Sequence, residues 1–324
     1  MNVPKLRFKE FNDEYVKLKY KDVLKIKSGK DQKQVEDENG KYPILGTGGQ
    51  IGKTNSFLYD KPSVLIGRKG TINKPQYMEL PFWTVDTLFY SRIYEPNIPK
   101  YLFYSFQNVN WKKYDESTGV PSLSSSTIES VECSIPSPNE QLKVAKFLSL
   151  LDKKIELQSK KIEDLKLFKK GLIEFEFSNS NYNEINLKEI LKERKTYSEK
   201  GLEFPHVTLS KDGIYDKTGR YNRDFLVKSD DKKYKITYLN DLCYNPANLK
   251  FGVICLNEYG SAIFSPIYVT FVIKNIANPK YIKYYVTRNN FINAIRKYEQ
   301  GTVYERMAVA PEDFLKFSIK LPNI

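Results

Sequence analysis

The sequence predicts an α+β protein: two similar domains, each a mixed or antiparallel sheet with helices, joined by one long coiled-coil helix. Three observations carry this. Apolar residues recur at heptad spacing through a stretch of about 40 residues with no internal proline. Short runs rich in aromatic and β-branched residues alternate with polar turns on both sides of that stretch. The two flanks also repeat one another: Pro99-Lys100-Tyr101-Leu102 returns as Pro279-Lys280-Tyr281-Ile282, and Ser134-Ile135-Pro136 returns as Lys320-Leu321-Pro322.

The long helix is the organising element. Ser137-Pro138-Asn139-Glu140 supplies a hydroxyl N-cap, a proline at the first helical position and a glutamate three residues after the cap, a capping box. Leu151, Ile155, Gln158, Ile162, Leu165, Phe168 (or Lys169) and Leu172 then follow at alternating steps of four and three. At ~1.5 Å per residue the rod is ~60 Å long, too long to bury inside one domain, so its seam requires a partner helix. The expected boundaries are a first domain at 1–136, the helix at 137–178, a polar linker at 179–184 and a second domain at 185–324. A second long helix, which the repeat places after Pro322, is absent from the sequence. The helix pair is then either cut short or completed by another protein or a second copy of the chain.

Within the first domain, Tyr15 to Ile26 reads as a strand and a short helix, and residues 31–41 as a charged, solvated stretch. Gly46 to Lys53 holds four glycines in seven residues, a backbone that turns tightly or approaches something closely. It is not a phosphate-binding P-loop. Five residues separate Gly46 from Gly52, and Thr47 stands where that motif needs glycine. Ser63-Val64-Leu65-Ile66 is a strand, Gly67-Arg68-Lys69-Gly70-Thr71 a basic turn, and Trp83 to Tyr90 a second strand-like run. Pro99 starts a helix that continues through Trp111, Ser117 to Ser122 is a polar loop, and Val131 to Ile135 a short strand.

Composition narrows the chemistry. The 52 Lys and Arg against 39 Asp and Glu give a net charge of +13 and a pI near 9.2, which favours a polyanion, nucleic acid ahead of a membrane surface. No apolar run approaches the ~20 residues of a membrane span, and Met1 to Arg7 lacks a signal-peptide core, so a cytoplasmic protein is expected. Cys133, Cys243 and Cys255 read as buried thiols, with no ligand cluster for a metal. His206 is the only histidine, and Phe204-Pro205-His206-Val207-Thr208 reads as a strand entry, which leaves little room for histidine-based catalysis. The 24 Tyr and 19 Phe suit both sheet packing and contacts to bases.

The order of these segments resembles the specificity subunit of type I restriction–modification systems, over essentially the whole chain. Its carriers are Pro4-Lys5-Leu6-Arg7-Phe8, the run Pro62 to Ile72, Phe82-Trp83-Thr84-Val85-Asp86-Thr87-Leu88-Phe89, and the helix opening Ile135-Pro136-Ser137-Pro138-Asn139-Glu140-Gln141. In the second domain they are Tyr244 to Gly252 and Ser265-Pro266-Ile267-Tyr268-Val269. The departure is the missing second helix. The resemblance implies two target-recognition domains on double-stranded DNA and a prokaryotic cytoplasmic setting. It also implies a helix that docks methyltransferase subunits, a separate restriction motor subunit, and no catalysis or cofactor in this chain. S-adenosylmethionine, ATP and magnesium would belong to the partners.

Two similar domains on a stiff spacer suit a bipartite target, with half-sites about one duplex turn, ~34 Å, apart. Candidate DNA contacts in the first domain are Gly48, Gly49 and Gln50, then Arg68, Lys69, Thr71 and Lys74, then Ser117, Thr118 and Ser122. In the second they are Asn245, Asn248, Lys250, Tyr268, Thr302, Tyr304 and Arg306. Arginine can pair bidentately with guanine and glutamine or asparagine with adenine, while lysines take phosphates. Each has a structural alternative: Asn245-Pro246 as a plain turn, Tyr268 as a core residue. The rival reading is a stand-alone N6-adenine methyltransferase, because Asn245-Pro246-Ala247-Asn248 distantly matches the motif that holds a flipped adenine. Ala247 and Asn248 replace the proline and aromatic that shape that pocket. A structural coiled-coil scaffold is a second rival, opposed by the basic charge.

Overall fold

In a computed structural model, which describes residues 4–178, 182–198, 203–217, 233–299 and 308–322, the chain divides at Lys160/Lys161 into two units. The first forms β1 (Val16–Lys19), β2 (Leu24–Lys27), β3 (Tyr42–Gly46), β4 (Gly49–Thr54), β5 (Ser63–Gly67), β6 (Gln76–Met78), β7 (Trp83–Thr84), β8 (Leu88–Ile93), α1 (Pro99–Gln107), α2 (Ser125–Ser130) and β9 (Glu132–Ile135), then enters α3 (Pro138–Phe177). An antiparallel sheet of order β2-β8-β5-β6 faces a mixed sheet of order β4-β3-β7, and β1 pairs with β9. The apolar run in β5 has a direct cause. Val64 and Ile66 pack on the helical side with Tyr20, Phe106 and Trp111, whereas Leu65 packs on the other face with Ile44, Phe82 and Trp83. A strand covered on both faces loses its polar alternation.

Two elements differ from the sequence reading. The run Trp83 to Tyr90 is two strands, because the chain turns at Val85–Leu88 and passes from the mixed sheet to the antiparallel one. The helix begun at Pro99 ends at Gln107, and Trp111 opens a separate 3₁₀ turn with its indole N–H donating to Phe106 O at 2.8 Å.

The second unit runs β10 (Asn183–Asn186), α4 (Leu187–Ile190), β11 (Leu191–Glu193), β12 (Tyr197–Ser198), β13 (Val207–Ser210), β14 (Gly213–Asp216), β15 (Tyr234–Thr237), β16 (Leu242–Tyr244), β17 (Ile254–Leu256), β18 (Ala262–Phe264), β19 (Val269–Ile273), α5 (Pro279–Val286), α6 (Asn289–Ile295), α7 (Pro311–Leu315) and β20 (Ser318–Leu321). Its central sheet, β11-β19-β16-β17, repeats the first. Here too the middle strand is buried on both faces, with Leu242 and Tyr244 on the helical side and Cys243 on the other. His206 lies at the entry of β13, edge-on to Tyr234. The repeat extends to single hydrogen bonds. Tyr101 Oη donates to Ser134 O at 3.2 Å, and Tyr281 Oη to Lys320 O at 2.7 Å. Tyr94 N donates to Val23 O, and Lys274 N to Ile190 O.

The helix α3 is continuous over 40 residues. Glu140, expected to close a capping box, sends its carboxylate to a partner far away in sequence: it accepts from Arg7 Nε and Nη2 and from Tyr15 Oη, and is 1% exposed. Gln141 bridges Ile98 N and Pro136 O, tying the helix start to the first unit. Near the other end, Ile173 and Phe177 join the core of the second unit. Between them the apolar seam lies open: Leu151, Ile155, Ile162, Leu165, Phe168 and Leu172 are 41% to 64% exposed, and Gln158 is exposed beside them. Lys169 lies over the Tyr284 ring at 5.2 Å, leaving Phe168 as the exposed apolar member of that step.

Candidate nucleic-acid interface

In the first unit three segments meet beyond the end of β5. The chain leaves this strand at Gly67, where an added Cβ would stand 2.3 Å from Thr71 O, so the turn closes only around glycine. Arg68 N and Lys69 N both donate to Thr87 O, and Gly70 takes φ +95°. The second segment is the 115–122 loop. It pairs backbone to backbone with this turn: Gly70 N donates to Pro121 O at 2.7 Å and Leu123 N to Arg68 O at 2.9 Å, while Lys69 bridges to Ser122. The third is the β3–β4 hairpin. Gln76 Nε2 pins it by donating to Gly46 O and Thr47 O, and Thr47 lies against Gly70.

The structure therefore brings Gly48, Gly49, Arg68, Lys69, Thr71, Ser117, Thr118 and Ser122 to one place, with Arg68, Lys69 and Thr118 exposed. Gly48 and Gly49 have nothing within 4 Å of an added side chain, so the hairpin tip is open to a ligand. Lys74 is exposed at the far side of the turn. Gln50 is placed differently. Its side chain donates to Gly52 O, and it lines a cavity with Glu36, Glu38 and Lys53, where two carboxylates outweigh one cation. Ser117 is occupied as well: its N–H and hydroxyl both donate to Asp115 Oδ1, as does Ser122 N. These bonds, the one from Ser122 N first, hold the Asp115 carboxyl below its ordinary range. Asp115 and Gln76 organise the site, and neither is among the candidates the sequence offers. The Asp-x-Ser spacing of an Asx turn is the signal that finds Asp115; no local pattern marks Gln76.

The second unit repeats this corner. From β16 the chain enters a 3₁₀ turn, Pro246–Phe251, that takes the place of the basic turn, and Val309 N donates to Pro246 O as Leu123 N does to Arg68 O. Asn245 is 8% exposed and caps that turn, its Oδ1 accepting from Ala247 N. It therefore serves as a cap, with its carboxamide oxygen engaged by the turn's own backbone. Asn248 and Lys250 are half-buried, Lys250 lying over the exposed Phe251 at 5.3 Å. Tyr268 packs edge-on to Phe264. Thr302, Tyr304 and Arg306 lie outside the described residues. Among the described residues no group of three or more His, Cys, Asp or Glu is placed to hold a metal ion, and no helix is long and apolar enough to cross a membrane.

Residues 12–167 match the family model described as the type I restriction modification DNA specificity domain. That stretch, just under half of the chain, is similar to the type I restriction–modification specificity family. The EcoDI type I specificity subunit of Escherichia coli is 26% identical over 164 residues, 48% of this chain and 36% of that protein. The MjaIX specificity subunit of Methanocaldococcus jannaschii is 40% identical over 107 residues, 29% of this chain and 25% of its own length. In the matched stretches the chain spans only about a third and a quarter of the length of these two relatives. The fold also matches the S subunit of a type I system from M. genitalium, with TM-score 0.63 and 14% identity over 97% of this chain and 87% of that one. A type I R-M system structure described for complex assembly and conformational transition matches with TM-score 0.55 and 11% identity, at the same coverage. These two likenesses, at low identity, show a shared fold.

Proposed function

We propose that this chain is the DNA sequence-specificity subunit of a type I restriction–modification complex. It reads a bipartite target through its two units and directs partner adenine methyltransferase and restriction subunits to it. The observation that carries this is the repeated corner: both units close a turn after the central buried strand with the same backbone hydrogen bond. One corner presents Arg68 and Lys69, the other Lys250 and Phe251. Two such corners in one chain suit two half-sites. Arg68, Lys69, Lys74 and Lys250 supply the salt-dependent grip, and side chains at the loop tips read base edges. The exposed seam of α3 is the dock for the methyltransferase subunits, since a stripe of leucine, isoleucine and phenylalanine in water is a binding surface. Chemistry stays with the partners: S-adenosylmethionine with the methyltransferase, ATP and magnesium with the restriction motor, in the prokaryotic cytoplasm. The stand-alone methyltransferase reading is disfavoured because Asn245 is engaged as a cap.

The test is selection from a randomised duplex library by the chain assembled with its methyltransferase. Recovery of two defined blocks separated by a run of fixed length supports the reading. One contiguous block, or no enrichment, refutes it.

A further inference from the structure

The second unit carries a basic cavity apart from the 246–251 turn. Lys166, Lys169 and Lys170 of α3 face Tyr284, Thr287, Arg288 and Asn289 at the α5–α6 junction across a cavity of about 360 Å³. Among the described residues four cations line it, and Glu174 is the one carboxylate, already accepting from Asn290 Nδ2 at 3.1 Å. Arg288 is held in place. Its Nε donates to Tyr285 O at 3.2 Å, and its guanidinium lies over the Phe177 and Tyr285 rings at 4.6 and 4.1 Å. A cation fixed by stacking and a backbone bond loses little further freedom on meeting an anion. From this junction α6 runs back to pack beside the 246–251 turn. Its 7 residues span only about 10 Å at the helical rise.

Resting on the DNA-reading role proposed above, we infer that this cavity is a sequence-independent clamp for the phosphodiester backbone of the duplex read by the second unit. A duplex seated on the 246–251 turn carries a phosphate charge about every 1.7 Å of its axis, so backbone phosphates fall within the roughly 10 Å that α6 covers. Lys166, Lys169, Lys170 and Arg288 then neutralise phosphates and contribute affinity without sequence preference.

The test uses the full chain, with Lys166→Ala, Lys169→Ala and Lys170→Ala combined, against a random-sequence duplex over a range of salt. These lysines are exposed on a helix and alanine is a good helix former, so the fold persists, checked by circular dichroism. Each lost phosphate contact lowers the slope of log K against log salt by about 0.9, about eightfold in affinity near 0.1 M salt. The expected result is a slope lower by two to three, with discrimination between target and random duplex retained. An unchanged slope, while Arg68→Ala with Lys69→Ala does lower it, overturns the clamp and assigns these lysines to an acidic protein partner. A wild-type chain with no salt-dependent duplex binding overturns the DNA-reading role and the clamp together.

Discussion

Asp241 holds the strand that leads into the 246–251 turn of the second unit, and its removal has a calculable effect. The side chain is 3% exposed and accepts a bidentate pair from Arg194, Nε at 2.8 Å and Nη2 at 2.9 Å, together with Tyr238 N at 2.8 Å. Asp241→Ala strips the guanidinium of its partner and leaves the Tyr238 N–H without its acceptor. Breaking one partner of a buried pair costs about 3–5 kcal/mol. Arg194 is 22% exposed and lies over the Tyr238 ring at 4.7 Å, so water and the ring compensate part of the loss and about 2–3 kcal/mol remains. For a unit of this size that lowers the melting temperature by roughly 5–10 °C. Calorimetry of the wild type, Asp241→Ala, Asp241→Asn and the Arg194→Met/Asp241→Ala pair reads it. Asp241→Asn should fall between, because its amide oxygen still serves Tyr238 N, and the double variant should lose less than the sum of the singles. A melting change below about 2 °C for Asp241→Ala would refute the view that this pair organises β15 and β16.

Further outcomes follow from the same geometry. Arg68→Ala with Lys69→Ala should reduce the salt slope of duplex binding by one to two and weaken target binding, with no change in melting, because both side chains are exposed. Glu140 is held below its ordinary range, first by the hydrogen bonds from Arg7 and then by Tyr15. Its contribution is therefore fully present above the unfolded value of about 4.3 and is lost as pH falls through the depressed folded value. Urea midpoints measured across the acid range should show that limb in the wild type and a flatter one in Glu140→Gln; identical curves would count against the clamp on the helix start. Burial pushes the Cys133 and Cys255 thiols up to about 12, and that of Cys243 well above its usual range. Iodoacetamide at mild alkaline pH should modify none of the three in the native chain and all of them in urea, read by mass spectrometry.

What the sequence makes legible is what local chemistry decides. The heptad steps of α3 appear because a helix exposes every third or fourth residue on one face, and Val64-Leu65-Ile66 because β5 has core on both sides. What it hides is set by partners distant along the chain. The Glu140 carboxylate fits a capping box by spacing, yet Arg7, 133 residues away, takes it. Asn245 has the right chemistry to read adenine, but the 3₁₀ turn after it needs a cap first. Gln50 carries a base-reading amide, and only the folded hairpin sets it beside Glu36 and Glu38. Trp83 to Tyr90 reads as one strand because only Asp86 and Thr87 interrupt its buried run where the chain crosses between two sheets. The cluster of Lys166, Lys169, Lys170 and Arg288 joins residues more than a hundred positions apart, so no local pattern announces it.

The most direct test of the central claim is to express this chain with a type I methyltransferase subunit from the same organism and map methylated adenines across the genome. A single bipartite motif is predicted, with adenine methylated in both halves and a gap of constant length between them. Exchanging only the second unit should change one half of that motif and leave the other. Methylation by this chain alone, or a contiguous motif indifferent to that exchange, would contradict the account.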